Sequence, residues 1–528
     1  MKKARGTLIA IILFIGVLVI LPSFFSEGEF SFSQPSGFYD DSFYLEINAP
    51  KGGKVYYTLD GTDPDESSIL YTAPIFIEDA TERDNIYSAR DDLGYGYLSN
   101  WQDYTVTQKA SNVVPNFLVD KCSVVKAIYI DWTGKKSDMI YGSYFVGFDD
   151  KYGYQNVNFI SIITEPDNFF DPDYGIYVID TDLAETDQNY YNRGSEWERK
   201  AYIQYFNVEQ REVLSQMAGI RIHGRFSRSS VPRSLNLYSR YEYDGNPVFA
   251  YDLFGTGYYP DAVTLFAGGQ DMESMFRDKL VSELVEDTNV ATMHYIPCVM
   301  FLDGEYWGFY WLTEKFGSGY LEYYYGEEQD KIVLVKDDVV SVGSDIGEYK
   351  SVYGNLWADD QDRELCRKLV EDNIDIQSLI DYTIVQSYIG NHDIDHNFAV
   401  WKGKENKWKY MLFDLNGFSS ISDYEDKTLD VYFNETEIKY IMDEDKYKKL
   451  FYESADDIIR NNFAPDLINK KLDEYVELYS EDIMKSNERF FGGRRENEFS
   501  DSVEQIRCFF ENREEIYRNH MKTIGIQQ

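Results

Sequence analysis

The sequence predicts a multidomain chain: a small all-β sandwich, then a large α+β domain, behind an N-terminal membrane-targeting segment. Three observations carry this reading. At 528 residues the chain exceeds one ordinary core, and length alone suggests about three units. Short β-rich runs punctuated by turn residues fill residues 30–147, and from residue 153 strands give way to long helical patterns. Residues 6–26 carry no charged side chain.

That uncharged run matches the roughly 20 residues a helix needs to cross a bilayer. Lys2, Lys3 and Arg5 precede it, which places the N-terminus in the cytoplasm and everything after Ser26 outside. The stretch before Ser26 lacks a small-x-small cleavage site, and no cysteine follows for lipidation. Residues 1–26 are therefore expected to form an uncleaved single-pass anchor, with a cleaved secretory signal as the alternative.

In residues 30–147, the runs at 42–47, 54–59 and 124–130 read as strands, with turns at Asp60-Gly61 and Pro50-Lys51-Gly52-Gly53. Residues 153–528 open with strands at 220–224 and 234–238 around a polar loop. A helix is expected over 271–286, where Met275, Leu280, Leu284 and Val285 recur at helical spacing. Residues 295–302 and 307–312 form a predicted hairpin about Asp303-Gly304, with Glu314 at its end. Ile376, Leu379, Ile380, Thr383, Ile384 and Tyr388 mark one face of a helix that delivers the chain to Asn391. Residues 466–489 and 502–523 read as terminal helices.

The net charge is −41, from 92 acidic against 51 basic residues, so nucleic acid and anionic lipid surfaces are repelled. Disorder is excluded by the 43% hydrophobic and 17% aromatic content, which supplies large cores. Cys122, Cys298, Cys366 and Cys508 show no C-x-x-C spacing and read as buried thiols, with one disulfide left open by an extracytoplasmic setting. His392 and His396 lack the third ligand of a zinc hydrolase, and no G-x-S-x-G elbow or Walker loop occurs.

The most informative stretch is GNHDIDHNFAVWKGKENKWKYMLFDLNGF, residues 390–418. Phosphoryl transfer needs a carboxylate at the acceptor hydroxyl, and an Asn and a second carboxylate to hold Mg²⁺ on the nucleotide phosphates. Asp393 fits the base, while Asn397, through its amide oxygen, and Asp414 fit the metal. Asp395 is a rival base.

GIRIHGRFSRSSVPRSLNLYSR, the 271–278 segment, FLDGEYWGFYWLTEKF, NHDIDHN and FDLNGF follow one another in order. Together they resemble the spore-coat CotH kinase family. The resemblance implies a protein-kinase-like fold with ATP between a strand-rich N-lobe and a helical C-lobe. It implies Mg²⁺- or Mn²⁺-dependent transfer of the γ-phosphoryl group to Ser/Thr hydroxyls of secreted or cell-surface proteins. Arg225, Ser227 and Arg228 then lie in a loop over the phosphates, and Arg233 stands where relatives often carry Lys. Glu314 borders the nucleotide or pairs with a cation. Lys336 is an alternative cation, although its strand reads as an exposed edge. Two departures stand out. Asp393 and Asn397 enclose three residues where kinases have four, and Asn416 replaces the second acid of the family's Asp-Leu-Asp, which is expected to weaken one metal position.

VYYTLDGTDP, residues 55–64, with YTAP at 71–74, resembles the chitobiase/β-hexosaminidase C-terminal module, an immunoglobulin-like sandwich. That likeness leaves a cell-wall glycan contact open, while a spacer lifting the next domain from the membrane is the expected role. The rival to a kinase is a noncatalytic surface protein that binds glycan or a scaffold on a degenerate kinase fold.

Overall fold

The computed structural model describes residues 28–93, 95–96, 114–180, 187–269, 271–343, 346–358, 362–391, 394, 397–416 and 428–527. The expected anchor, residues 1–26, lies outside these. Among the described residues no helix is long and apolar enough to cross a membrane.

The N-terminal unit is β-rich, as expected. A five-stranded sheet runs in the order Gly37–Tyr39, Ile140–Val146, Ser123–Ile130, Lys54–Thr58, Ile69–Leu70. Successive side chains of a strand point to opposite faces, and here both faces are covered. Val125, Ala127, Tyr144 and Val146 pack on Leu45, Ile47, Ile75 and Ile77 of two short strand pairs. The alternate residues turn toward the second unit. Tyr141 stacks on Tyr202 with ring centroids 4.3 Å apart, and the Ser143 and Ser161 hydroxyls hydrogen-bond at 2.8 Å. Phe145 meets Phe159, Phe206 and Phe301 edge to face. Lys126, on the same face, is buried, donates to the Gly61 carbonyl at 2.6 Å and ion-pairs with Asp63. A spacer would present a polar face here. The expected boundary between residues 147 and 153 instead falls inside a continuous aromatic core.

The second unit opens with a closed barrel. Its seven strands run in the order Asn158–Thr164, Arg199–Phe206, Glu212–Ile222, Leu235–Tyr238, Ala262–Phe266, Glu305–Glu314, Tyr295–Leu302. Parallel pairing of the last with the first closes the ring, and all other pairs are antiparallel. Ile160, Ile162, Ile220, Ile222, Leu235, Leu237, Val263, Leu265 and Leu312 fill the interior, so closure leaves no unpaired edge. The hairpin turn Asp303-Gly304 lies where expected, with Asp303 at φ 45° and Gly304 at φ 91°.

Most of the helices follow. Asp375 caps Ile376–Tyr388 by accepting the Ser378 N–H at 3.0 Å, and from Ser378 onward every residue of that helix is buried. Pro465–Phe491 lies against Glu305–Glu314. Gly308 makes that approach possible, because a Cβ there would sit 2.8 Å from the Ser486 hydroxyl. A four-stranded sheet in the order Val339–Val342, Val333–Lys336, Ala399–Lys402, Lys409–Met411 joins the helices to the barrel.

Two expectations need correction here. The helix expected over 271–286 spans only Arg277–Leu284. Met275 takes φ 59°, and Asp271 accepts from the Ser274 hydroxyl and the Arg277 N–H, which holds the preceding turn open. The strand ending in Lys336 is interior to its sheet and not an edge. Cys122, Cys298 and Cys366 are buried free thiols, as expected.

Candidate active site at the junction of barrel and helices

The barrel's strand alternation leaves one outer patch polar. Register places Arg221 opposite Asn236, Asn236 opposite Thr264, and Thr264 opposite Thr313. Two residues along their strands, His223 and Lys315 share this face. His223 is tied down through its backbone N–H to the Ser234 carbonyl at 2.7 Å and through Nδ1 to Asn236 at 3.1 Å. Burial, then Lys315, Lys336 and Arg228, hold its imidazole well below the ordinary range, so it stays neutral at pH 7.

Lys315 and Lys336 are half-buried, and neither forms an ion pair with an acid among the described residues. Desolvation, then Lys336 and Arg221, push the Lys315 ammonium down to about 8 against the pull of Asp261. Burial also lowers Lys336, opposed by Asp337 and Asp414, and its Nζ lies 3.6 Å over the Phe413 ring. Two like-charged ammonium groups are thus held within each other's field.

Asp414 follows Phe413 at φ 78°, a conformation that costs a non-glycine residue about 1 kcal/mol or more and gathers at functional sites. Its charge acts on Lys336 and on Asp278. Asp278 is buried in the first turn of Arg277–Leu284 and accepts the Leu415 N–H at 2.7 Å. Burial first, and then the Asp414 charge, push its carboxyl up to about 8, while the Leu415 N–H and the Asn416 side chain oppose that shift. Gly268 and Gly269, at φ 92° and 58°, form the adjoining loop, and a Cβ on Gly269 would lie 2.7 Å from the Asn416 amide nitrogen.

The loop entering the site is anchored at its base. Asn391 folds back on Gln386 through its N–H at 3.0 Å and its side-chain amide at 2.8 Å. The Arg513 guanidinium donates to the Ser387 and Tyr388 carbonyls, closing the end of the helix. Asn397 is buried, and the Tyr382 hydroxyl donates to its carbonyl at 3.3 Å. Asp393, the expected base, lies outside the described residues, as do His392, Asp395 and His396.

The basic loop is used differently from expectation. Arg233 is fully buried between the rings of Tyr177 and Tyr190 and donates to the carbonyls of Arg228, Tyr177 and Leu93. Arg228 is buried as well, with its donors on Gly224, Tyr190 and Asn192 carbonyls. Both therefore brace the loop from within, although burial without an anion lowers both guanidinium groups from their ordinary value and leaves Arg233 Nη2 without a hydrogen-bond partner among the described residues. Arg225 remains exposed, and Ser227 packs its hydroxyl over Gly224, where no Cβ would fit. Glu314 is buried and pairs with His294, accepting its N–H at 3.0 Å and Nδ1 at 2.9 Å.

Lys315 and Asp278 were not among the residues singled out from sequence. Alternation in WLTEK would have placed Lys315 on the face of Thr313, and RDKL would have put Asp278 at a helix start. Asp414, Asp278 and Asn416 adjoin and carry hard oxygen donors, two of them carboxylate, of the kind that suits Mg²⁺ or Mn²⁺.

The family described as CotH kinase protein matches residues 220–517, and one described as Fn3 associated matches residues 45–144. No curated protein matches the chain.

Proposed function

The chain belongs to the CotH kinase family, and from that premise we propose that it transfers the γ-phosphoryl group of ATP to serine or threonine hydroxyls of secreted or cell-surface proteins. One observation carries the reading. Half-buried Lys315 lies in the field of Lys336, and Lys336 and Asp278 both lie in that of Asp414, with neither lysine in an ion pair among the described residues, so cation and anion positions adjoin at one junction. A nucleotide polyphosphate with its metal has that charge pattern.

In this reading Lys315 and Lys336 bind phosphate oxygens through charge-assisted hydrogen bonds, and their mutual repulsion is relieved only when the anion arrives. Asp414 and Asn397 hold the divalent ion, which when bound neutralises charge on the β- and γ-phosphates. Asp393 accepts the proton of the acceptor hydroxyl, with Asp395 as its rival. Arg225 and Ser227 are the members of the basic loop that approach the phosphates. The barrel face of Asn236, Thr264 and Thr313 lies beside the ammonium pair and offers polar contacts to the rest of the nucleotide. Residues 1–26 direct the enzyme out of the cytoplasm.

The test is incubation of the purified chain with γ-labelled ATP and candidate surface proteins, with Mg²⁺, Mn²⁺ or chelator. Labelling that needs metal and disappears in Asp414→Ala supports the reading. A folded chain that binds no ATP overturns it in favour of a noncatalytic surface protein. Protease added to intact cells tests the location, and protection of the whole chain would place it inside.

A further inference from the structure

We infer that a cavity where the sandwich, the barrel and the helix Pro465–Phe491 meet binds a small monocarboxylate, held by the guanidinium of Arg489. None of the residues lining it belongs to the junction of Lys315, Lys336, Asp278 and Asp414, and the inference does not rest on the phosphoryl-transfer reading.

The cavity measures about 230 Å³. Phe117, Leu118 and Val119, on the segment that leads into strand Ser123–Ile130, give it apolar surface. Phe117 and Leu118 are exposed, so the cavity opens to solvent. Tyr306 of the barrel and Arg489 of the helix line it as well. Arg489 is fully buried, and none of its three guanidinium nitrogens has a hydrogen-bond partner among the described residues. Aromatic faces hold it instead: the guanidinium carbon lies 5.1 Å from the centre of the Trp307 ring and 4.6 Å from that of Phe490. Ring faces attract a cation, yet leave its in-plane donors unspent. Burial lowers the group to about 10, so it is still charged at pH 7. Glu305 acts on it but forms no ion pair with it among the described residues, and the Glu305 oxygens accept the Ile86 N–H at 2.5 Å and the Ser88 N–H at 2.7 Å. The Tyr306 hydroxyl, in the field of Arg489, is likewise buried without a partner among the described residues. An uncompensated buried charge works against folding, and an anion in this cavity would compensate it.

The remaining charges select the ligand. Lys485 pairs with Asp120, and Arg494 with Glu481 at 2.6 Å, so both are already neutralised. Asp120 and Glu488 also line the cavity and repel a dianion such as phosphate. A single unspent cation among the described lining residues matches a single negative charge. The planar guanidinium fork matches the two oxygens of a carboxylate, and the apolar surface suits a hydrocarbon body.

The test is calorimetric titration of the full chain with sodium benzoate, then acetate and phosphate, at constant ionic strength. Benzoate should bind at one site, acetate more weakly and phosphate least. Arg489→Met should lower benzoate affinity about 10- to 100-fold, the range for losing charge-assisted hydrogen bonds. Without benzoate its melting temperature should be unchanged or higher, because no hydrogen bond is lost and a buried charge is removed. A wild-type chain that binds neither benzoate nor acetate overturns the inference, however the variant behaves. Unchanged benzoate affinity in Arg489→Met removes Arg489 from the site and overturns it too. A lower melting temperature in ligand-free Arg489→Met would make the guanidinium a structural cation and count equally against the proposal. Phosphate binding more tightly than benzoate overturns the monocarboxylate assignment.

Discussion

The barrel has two neighbours, and they are held by opposite physics. Against the sandwich it presents Phe159, Phe206 and Phe301, which enclose Phe145 in a buried, edge-to-face cluster. Against the helices it presents a polar row and Lys315, an ammonium group without an acid partner among the described residues, in the field of a second ammonium, Lys336, on which Asp414 acts. The first contact is complete within the protein and serves stability. The second leaves two ammonium groups without an acid partner among the described residues, which suits an anionic ligand. A region whose charges are all satisfied has little left to offer a substrate.

The largest expected effect lies at the sandwich seam. Phe145→Ala should destabilise the whole chain by about 3–5 kcal/mol, because it empties a site touched by three barrel aromatics. Guanidinium unfolding followed by intrinsic fluorescence and by far-ultraviolet dichroism should give one shared transition. Two separated transitions would show that the seam does not couple the units and would break the comparison. For the same reason, residues 153–528 alone should be poorly soluble.

Next in size is the junction. Lys315→Met should weaken ATP binding about 10- to 100-fold while leaving the melting temperature unchanged or higher, since no ion pair is lost and a repulsion with Lys336 is relieved. A large drop in melting temperature would mean that Lys315 is structural. Arg233→Met is the converse experiment. Three carbonyls lose a buried donor, so a stability loss of roughly 1–3 kcal/mol is expected, with nucleotide affinity of the folded protein unchanged. If ATP affinity collapses while stability holds, the assignment of Arg233 to the core is wrong.

The smallest effect concerns His294, whose imidazole is raised chiefly by its hydrogen bond to Glu314. A raised folded-state value stabilises the protein fully below the ordinary histidine value of about 6.5, and the contribution is lost as pH rises through the raised value. Because the side chain is 39% exposed, solvent screening keeps this below about 1 kcal/mol. Proton resonance titration should show His294 returning toward the ordinary range in Glu314→Gln. No change in that variant would assign the shift to other groups.

Much of this arrangement is legible in the sequence where the signal is local. The hairpin about Asp303-Gly304 announces itself through turn residues, and the helix ending at Tyr388 through its apolar spacing. Asp414 stands out through the FDLNGF context, and the structure adds its unusual backbone. The misreadings share a cause. Arg233 and Lys336 are both basic residues in or beside short strands, and nothing local tells which is enclosed by tyrosines and which faces a carboxylate. The seam was missed because YGSYF in one strand and NFISII in another become a core only when paired in space.

Sequence alone determined the β-rich start, the strand-then-helix order of the second unit, the family motifs and the strongly acidic balance, because each depends on composition or on periodicity within one element. Tertiary structure decided which cations are spent on carbonyls and which are left for a ligand, that Asp278 stands beside Asp414, and that the sandwich shares the barrel's core. Those outcomes depend on which faces of distant segments meet, and on how much water their meeting removes from each charge.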